Sequence, residues 1–457
     1  MKIRLLVVTI LLLRFQAAWA GQTPPSQQPD PNAGPIVITL EEAIRRAQTI
    51  DPGFATASAN RGAASLDRSI ARSTFLPQAV YHNQYVYTQP NGEAVPPVGS
   101  GSNSGTSTQN TQKFIANNGV REYASQAVVT EAIGMQQIAD YRRAGALSAQ
   151  ATAQFEVARR GLVAAVVDAY YTLLAADRKL GVATRALNEA HDFQTLSEQR
   201  EAGREVAHAD VVKASLQTQQ RERDLADARI AASKARLDLG VLLFPDPRTP
   251  YKLQDDTDHS PAAPLRGEVE VAAAKNNPDL KSAIAALHAS DQDVIIAKAG
   301  YIPDLLLNYT YGIDAPEFAA NGQGGARNLG YSASVTLDIP VWDWLATRDR
   351  VKQSELRRKE VTAVLNYTQR KLMAELEEFY SETRTAGDAL VSLEKSVSTA
   401  RESLRLTKLR YKAGDATVLE VVDAQTALVG VETSYADGIV RYRLALANLQ
   451  TLTGYMP

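Results

Sequence analysis

Residues 328–341 read Asn-Leu-Gly-Tyr-Ser-Ala-Ser-Val-Thr-Leu-Asp-Ile-Pro-Val, an alternation without a break. Leu329, Tyr331, Ala333, Val335, Leu337, Ile339 and Val341 fall on one face of an extended chain. Gly330, Ser332, Ser334, Thr336 and Asp338 fall on the other. Successive side chains of a strand point to opposite sides, so such a segment separates an apolar medium from water.

Three further segments share the pattern to different degrees. After Pro303, Leu305, Leu307, Tyr309 and Tyr311 stand opposite Leu306, Asn308, Thr310 and Gly312. After Pro77, Ala79, Tyr81, Tyr85 and Tyr87 stand opposite Gln78, His82, Gln84 and Thr88. A fourth, around residues 123–133, alternates only weakly. One such strand alone fits a soluble sheet with one face on a core. Length, tyrosine content and the polar, Gly-rich connections at 91–110 and 321–328 instead predict membrane strands with interfacial aromatics. Four strands cannot close a barrel, and an open edge in lipid leaves backbone groups unpaired, so the chain is expected to oligomerise. Two copies would give eight strands and a filled interior; three would give twelve and begin to leave a lumen, which the polar face favours.

Outward from the strands, the chain reads as one unit written twice. Ala47, Pro52, Ala57, Ala71, Pro77 and Tyr85 recur as Ala273, Pro278, Ala283, Ala297, Pro303 and Tyr311. Further along, Val211, Val212, Ala214, Ala226, Asp227, Leu239 and Leu242 recur as Val421, Val422, Ala424, Ala436, Asp437, Leu449 and Leu452. The repeats are placed at 37–244 and 267–457, with a Pro-rich linker at 245–266. Each reads as helix, strand, loop, strand, long helix, tight turn, helix. In the second, Leu372, Phe379, Ala386, Leu393 and Ala400 occupy one heptad position and Leu376, Thr383, Leu390, Val397 and Leu404 the other. That is coiled-coil spacing. The long helices, at 135–202 and 345–413, would each be roughly 100 Å long. The shorter helices, one before Phe75 and one after Glu205, would nearly equal a long one if stacked end to end, as in a tube.

The first twenty residues read as a signal peptide: Lys2 and Arg4, an apolar run from Leu5 to Leu13, and Ala18-Trp19-Ala20 before Gly21. The run is too short for a spanning helix. A Pro-rich extension follows at 21–36. With no cysteine there is no disulfide and no thiol to carry a lipid anchor. Loss of the leader makes the net charge of −2 more negative, which argues against nucleic acid as a partner. The most apolar later window, 161–176, is interrupted by Asp168 and too short to span a bilayer. The five histidines (His82, His191, His208, His259, His288) lack metal-ligand spacing, and no nucleophile elbow or phosphate loop is present, so neither an enzyme nor a metal or cofactor site is expected.

The repeat starts (Thr39-Leu40-Glu41-Glu42-Ala43 with Pro52), the strand-entry prolines Pro77 and Pro303, and the strand exit Ile339-Pro340-Val341-Trp342-Asp343 occur together. With them stands Tyr411-Lys412-Ala413-Gly414 followed by Val418-Leu419-Glu420-Val421-Val422-Asp423-Ala424-Gln425. With these residues the chain resembles the TolC-type outer-membrane factors of tripartite efflux pumps and one-step secretion systems. The resemblance implies a mainly α protein with a membrane β-barrel. In it, a homotrimer builds a twelve-stranded barrel in outer-membrane lipid, continuous with a long α-helical barrel in the periplasm. It implies a periplasmic adaptor and an inner-membrane pump as partners. Gly203 and Gly414 would turn the two hairpins at the periplasmic tip, in the left-handed conformation that glycine tolerates. Tyr411 would hold the closed state, and Glu420 and Asp423 would face the pore constriction. Three copies of those acids, three residues apart on one helix face, would make a cation-selecting ring. The first repeat departs from this pattern: Lys213 stands where Asp423 is expected, leaving Asp210 opposite Glu420, and Thr130-Glu131-Ala132-Ile133-Gly134 lacks the proline and tryptophan of its mate. The rival reading, a periplasmic coiled-coil adaptor or scaffold, would need the helices but not the alternating strands. A smooth duct names no cargo.

Overall fold

The computed structural model describes residues 36–87, 121–255, 261–322, 325 and 327–454. The signal peptide, almost all of the Pro-rich extension, the 91–110 connection and His259 lie outside the described residues.

Two helices of 68 residues each organise the chain, α3 (Met135–Ala202) and α7 (Ala346–Ala413). Both returning helices have 36 residues: α4 (His208–Leu243) and α8 (Val418–Thr453). Where one helix was expected before each strand pair there are two: α1 (Leu40–Ile50) and α2 (Pro52–Ser73), then α5 (Arg266–Asn276) and α6 (Pro278–Ala299). The breaks are local chemistry. Asp51 accepts a hydrogen bond from the Phe54 amide at 2.6 Å, and Asn277 from the Leu280 amide at 2.8 Å. Each is a side-chain N-cap followed by proline at the first helical position, where a missing N–H costs nothing.

The helices form a layer four wide. Next to the sheet, α2, α3, α6 and α7 lie side by side in that order; farther away the order is α4, α3, α8, α7. The shorter helices thus share the flanks of the long ones. The heptad positions of α7 face its neighbours: Leu372, Thr383, Ala386, Leu390 and Leu404 are buried. Mid-length, a short parallel pair, β1 (Ile36–Ile38) with β4 (Tyr251–Leu253), closes over α3. Ile36 therefore belongs to a strand rather than to the extension. The largest core cluster lies here, with Ile38, Ala43 and Ala47 against Val163, Val166, Tyr170, Leu173, Leu239 and Leu243. The apolar window at 161–176 is this core, each such leucine or valine contributing ~1.5–3 kcal/mol. Arg160 closes it from the side, donating to Thr451 O at 2.7 Å and Asn276 O at 3.2 Å, carbonyls at the C-terminal ends of α8 and α5.

The remaining strands form one antiparallel sheet in the order β2 (Gln78–Tyr87), β3 (Arg121–Ile133), β5 (Asp304–Ala315), β6 (Leu329–Asp338). The strand whose alternation is weakest in sequence, β3, is the longest at 13 residues and is central. No described helix is long and apolar enough to cross a membrane.

Candidate functional site

The pairing register makes a two-sided surface out of the sheet. Tyr81 pairs with Ala127, Ala127 with Tyr311, and Tyr311 with Tyr331. One residue pair along, Ala79, Val129, Tyr309 and Ala333 line up, followed by Leu307 and Val335. The other face carries Gln84, Gln126, Asn308, Thr310, Gly312, Ser332, Ser334 and Thr336. The weak alternation of β3 has a cause. It puts Ser125 and Glu131 on the apolar face and Val128 on the polar one. Ser125 is satisfied locally: its hydroxyl donates to Asn83 Oδ1 at 2.7 Å and lies 2.8 Å from the Tyr81 hydroxyl. Polar atoms on an apolar surface are tolerable when they pair in this way. Tyrosine rings meet across strands, Tyr85 with Tyr123 at 4.8 Å and Tyr309 with Tyr331 at 6.3 Å.

Gly312 is needed for a close approach, since a Cβ there would stand 2.2 Å from Ser125 O and 2.6 Å from Gln126 Cα. Pro77 and Pro303 each occupy the position just before a strand, where proline costs no ladder bond, and Pro340 and Trp342 follow β6. The outer edges of β2 and β6 have no strand beside them among the described residues.

At the opposite end, the two helical turns lie against each other. Gly414 takes the left-handed conformation expected of it, φ 89°, and its amide donates to Tyr411 O at 3.1 Å. Gly203 does not: its φ is −75°, and Arg204 supplies the left-handed residue at φ 61°. Gly203 stands eight positions before Val211 where Gly414 stands seven before Val421, and this one extra residue moves the reversal one position on, to a residue other than the glycine expected from the sequence.

Tyr411 is 2 % exposed, packed on Phe193, Ala214, Val418 and Val421. Its ring lies 5.0 Å from that of Phe193, and the Arg200 guanidinium sits over it at 4.9 Å. Arg200 also donates to Tyr411 O and, at 2.9 Å, to Glu205 Oε2. The tyrosine therefore joins the end of α7 to the end of α3.

Glu420 forms a capping box with Thr417, each side chain accepting from the other's backbone amide. Arg410 approaches it at 3.3 Å. The Thr417 backbone bond, then the Thr417 hydroxyl and Arg410, hold the Glu420 carboxyl below its ordinary range. Asp423 is exposed one turn further on. Asp210 stands in the first turn of α4, whose N-cap, Ala207, offers no side-chain bond. The second tip thus has a side-chain cap at the start of its returning helix and the first has none, while both long helices end on backbone bonds. From the sequence Glu420 is expected only as a pore-facing acid, and its place in a capping box with Thr417 comes from the structure. Nothing in the sequence marked Phe193, Ser197 or Arg200, which meet Tyr411 from more than two hundred residues away.

Residues 271–455 match the family model described as Outer membrane efflux protein. Outer membrane protein OprJ of Pseudomonas aeruginosa is 26% identical over 302 residues, covering 64% of this chain and 61% of OprJ. Outer membrane protein TolC of Vibrio cholerae is 24% identical over 311 residues, covering 67% of this chain and 70% of that protein. The chain thus aligns with about three-fifths of OprJ's length. In structure, the Campylobacter jejuni CmeC outer membrane channel superposes with a TM-score of 0.74 at 13% identity, over 91% of this chain and 85% of the other. At that identity the likeness establishes the fold.

Proposed function

We propose, from a chain that carries the outer membrane efflux protein domain and the fold of an outer membrane channel, that this protein is an exit duct across the outer membrane. The sheet would face lipid with its Tyr81, Tyr309 and Val335 face and water with its Asn308 and Ser334 face. The helix layer would continue the duct into the periplasm. Partners would be an adaptor and an inner-membrane pump, and the helical turns at Gly203 and Gly414 would meet them. The duct is not an enzyme, and it passes small molecules or polypeptide without a reaction.

The observation that carries this reading is the amphipathic four-stranded sheet with two open edges. In lipid an open edge leaves a row of backbone donors and acceptors unpaired, each costing several kcal/mol, so β6 of one copy is expected to pair with β2 of the next. Three copies give twelve strands and leave a lumen. The matching element orders from Leu40 to Leu243 and from Arg266 to Thr453 support an internal duplication.

The absence of native cysteine makes a direct test available. Within one chain β2 and β6 stand three strand spacings apart, about 14 Å, too far for a disulfide. Single cysteines placed along β2 and β6 should therefore cross-link only between copies. Oxidation of outer-membrane preparations is expected to give a ladder that stops at the trimer. A ladder ending at the dimer, or none from any pair of positions, refutes the arrangement.

At the far end, the Tyr411 contact with Arg200 and Phe193 holds the two hairpins together. Tyr411 would keep the duct closed, with Glu420, Asp423 and Asp210 near its constriction.

A further inference from the structure

Where α2, α3 and the break between α5 and α6 meet, the helix layer leaves a cleft of about 500 Å³. That volume is within the range of small-molecule sites. Its floor is α3, which presents Gly145, Ala149 and Ala153 there and so has no bulk to fill the space. Three cations line it: Arg68 from α2, Lys281 from α6 and Arg160 from α3 itself. Among the described residues, none of the three has a carboxylate within ion-pair distance. Arg68 lies over the Tyr141 ring at 5.8 Å instead.

Arg160 is the telling member. It is only 8% exposed, yet its terminal nitrogens donate to neutral carbonyls, Thr451 O and Asn276 O, and its Nε is buried without an acceptor. A charge taken out of water without a counter-charge is costly, so such a residue calls for an anion. Burial pulls its guanidinium below the ordinary range, and Glu156 and Asp279, both beyond ion-pair distance, offset that only in part. Glu156 is the one acid in the lining, and it is already taken by Arg159 at 3.0 Å. With Arg159 and Asp279 included, cations outnumber acids four to two around the cleft. An inorganic ion would leave most of the volume empty. We propose that the cleft binds a small organic anion with two or more oxyanion groups, carboxylate or phosphate, Arg160 supplying the buried positive end and Lys281 and Arg68 the rim. Cationic donors of this kind make the stronger, charge-assisted hydrogen bonds to such groups. Once bound, the anion would tie α2, α3 and α6 together. The site lies apart from the strands and the helical turns, and it does not depend on the duct reading.

Arg160 also holds two helix ends, so the variants that test the site are made at its rim. The full chain in detergent is titrated calorimetrically with citrate and, separately, with fructose 1,6-bisphosphate, at an ionic strength fixed with chloride. The expected result is saturable binding at one site per chain. Binding of citrate alone assigns a carboxylate ligand, and binding of the bisphosphate alone a phosphate ligand. Lys281→Gln and Arg68→Gln should each weaken binding about tenfold, the loss of one charge-assisted bond. Glu156→Gln removes the one lining acid and should tighten it. Lys298→Gln, exposed on the same helix as Lys281 but outside the cleft, should leave it unchanged. Absence of binding by both anions would overturn the proposal. So would wild-type affinity in both rim variants, or a loss in Lys298→Gln as large as theirs, which would mark general charge attraction rather than a site.

Discussion

Truncating Tyr411 separates packing from hydrogen bonding at the junction of the two hairpins. In Tyr411→Ala the ring disappears from a site only 2 % exposed, where it touches Phe193, Val418 and Val421 and lies under Arg200. Removing a buried aromatic side chain costs ~3–5 kcal/mol, of which the Phe193 ring pair accounts for ~0.5–1.5 kcal/mol. In Tyr411→Phe only the hydroxyl is lost, 3.3 Å from Ser197 Oγ. Ser197 keeps its bond to Phe193 O at 2.9 Å, so the loss is at most about 1 kcal/mol. If opening separates the α7–α8 turn from α3, a loss of about 3 kcal/mol raises the open population on the order of a hundredfold, and the phenylalanine variant less than about fivefold. Single-channel recording gives the open fraction. Amide exchange across residues 193–200 and 411–421 gives the docking free energy independently. The reasoning is refuted if the two variants behave alike, or if the alanine variant leaves exchange at the turn unchanged.

Changing Glu420 and Asp423 together to alanine is expected to alter cation conductance or cation block in planar bilayers; unchanged values would remove both acids from the constriction. Thr417→Ala removes one half of the capping box and should cost about 1 kcal/mol at the start of α8, read as faster amide exchange there. The Glu420 carboxyl is held low in the folded chain, so its contribution is present above its ordinary value of 4.5 and is lost as pH falls through the folded value. Exchange protection of that turn should therefore hold from neutral pH down to about 4.5 and decline as the pH falls from there through the folded value, and a decline already at neutral pH would contradict the assignment. Arg160→Met leaves two helix-terminal carbonyls without their charged donor, and a loss of about 3 kcal/mol in denaturant unfolding is expected. Gly312→Val drives a side chain into the β3 backbone and should abolish the cross-linked oligomer expected from detergent extracts of the cysteine variants.

The sequence by itself determined the long helices and the alternating strands of this protein, because these were written in local chemistry. Alternation in β6 and β5 follows from the two-residue period of a strand. The start of α3 after Gly134 and its end at the polar turn near Gly203 follow from helix periodicity. At Pro52 and Pro278 the helix breaks rest on the side-chain caps Asp51 and Asn277, which the repeat pattern alone did not contain. Tertiary structure decided what the local signal could not contain. The place of β3 in the sheet depends on partners such as Ser125 with Asn83 and Tyr81, whose mutual bonding excuses the weak alternation. The residue that reverses the first hairpin is Arg204 rather than Gly203, because one inserted residue shifts the turn and only the closed loop shows where. The environment of Tyr411 is assembled from α3, α4 and α8 across long stretches of chain. Periodicity is a property of neighbours along the backbone, whereas a packed ring and its guanidinium are neighbours only after the helices have come together.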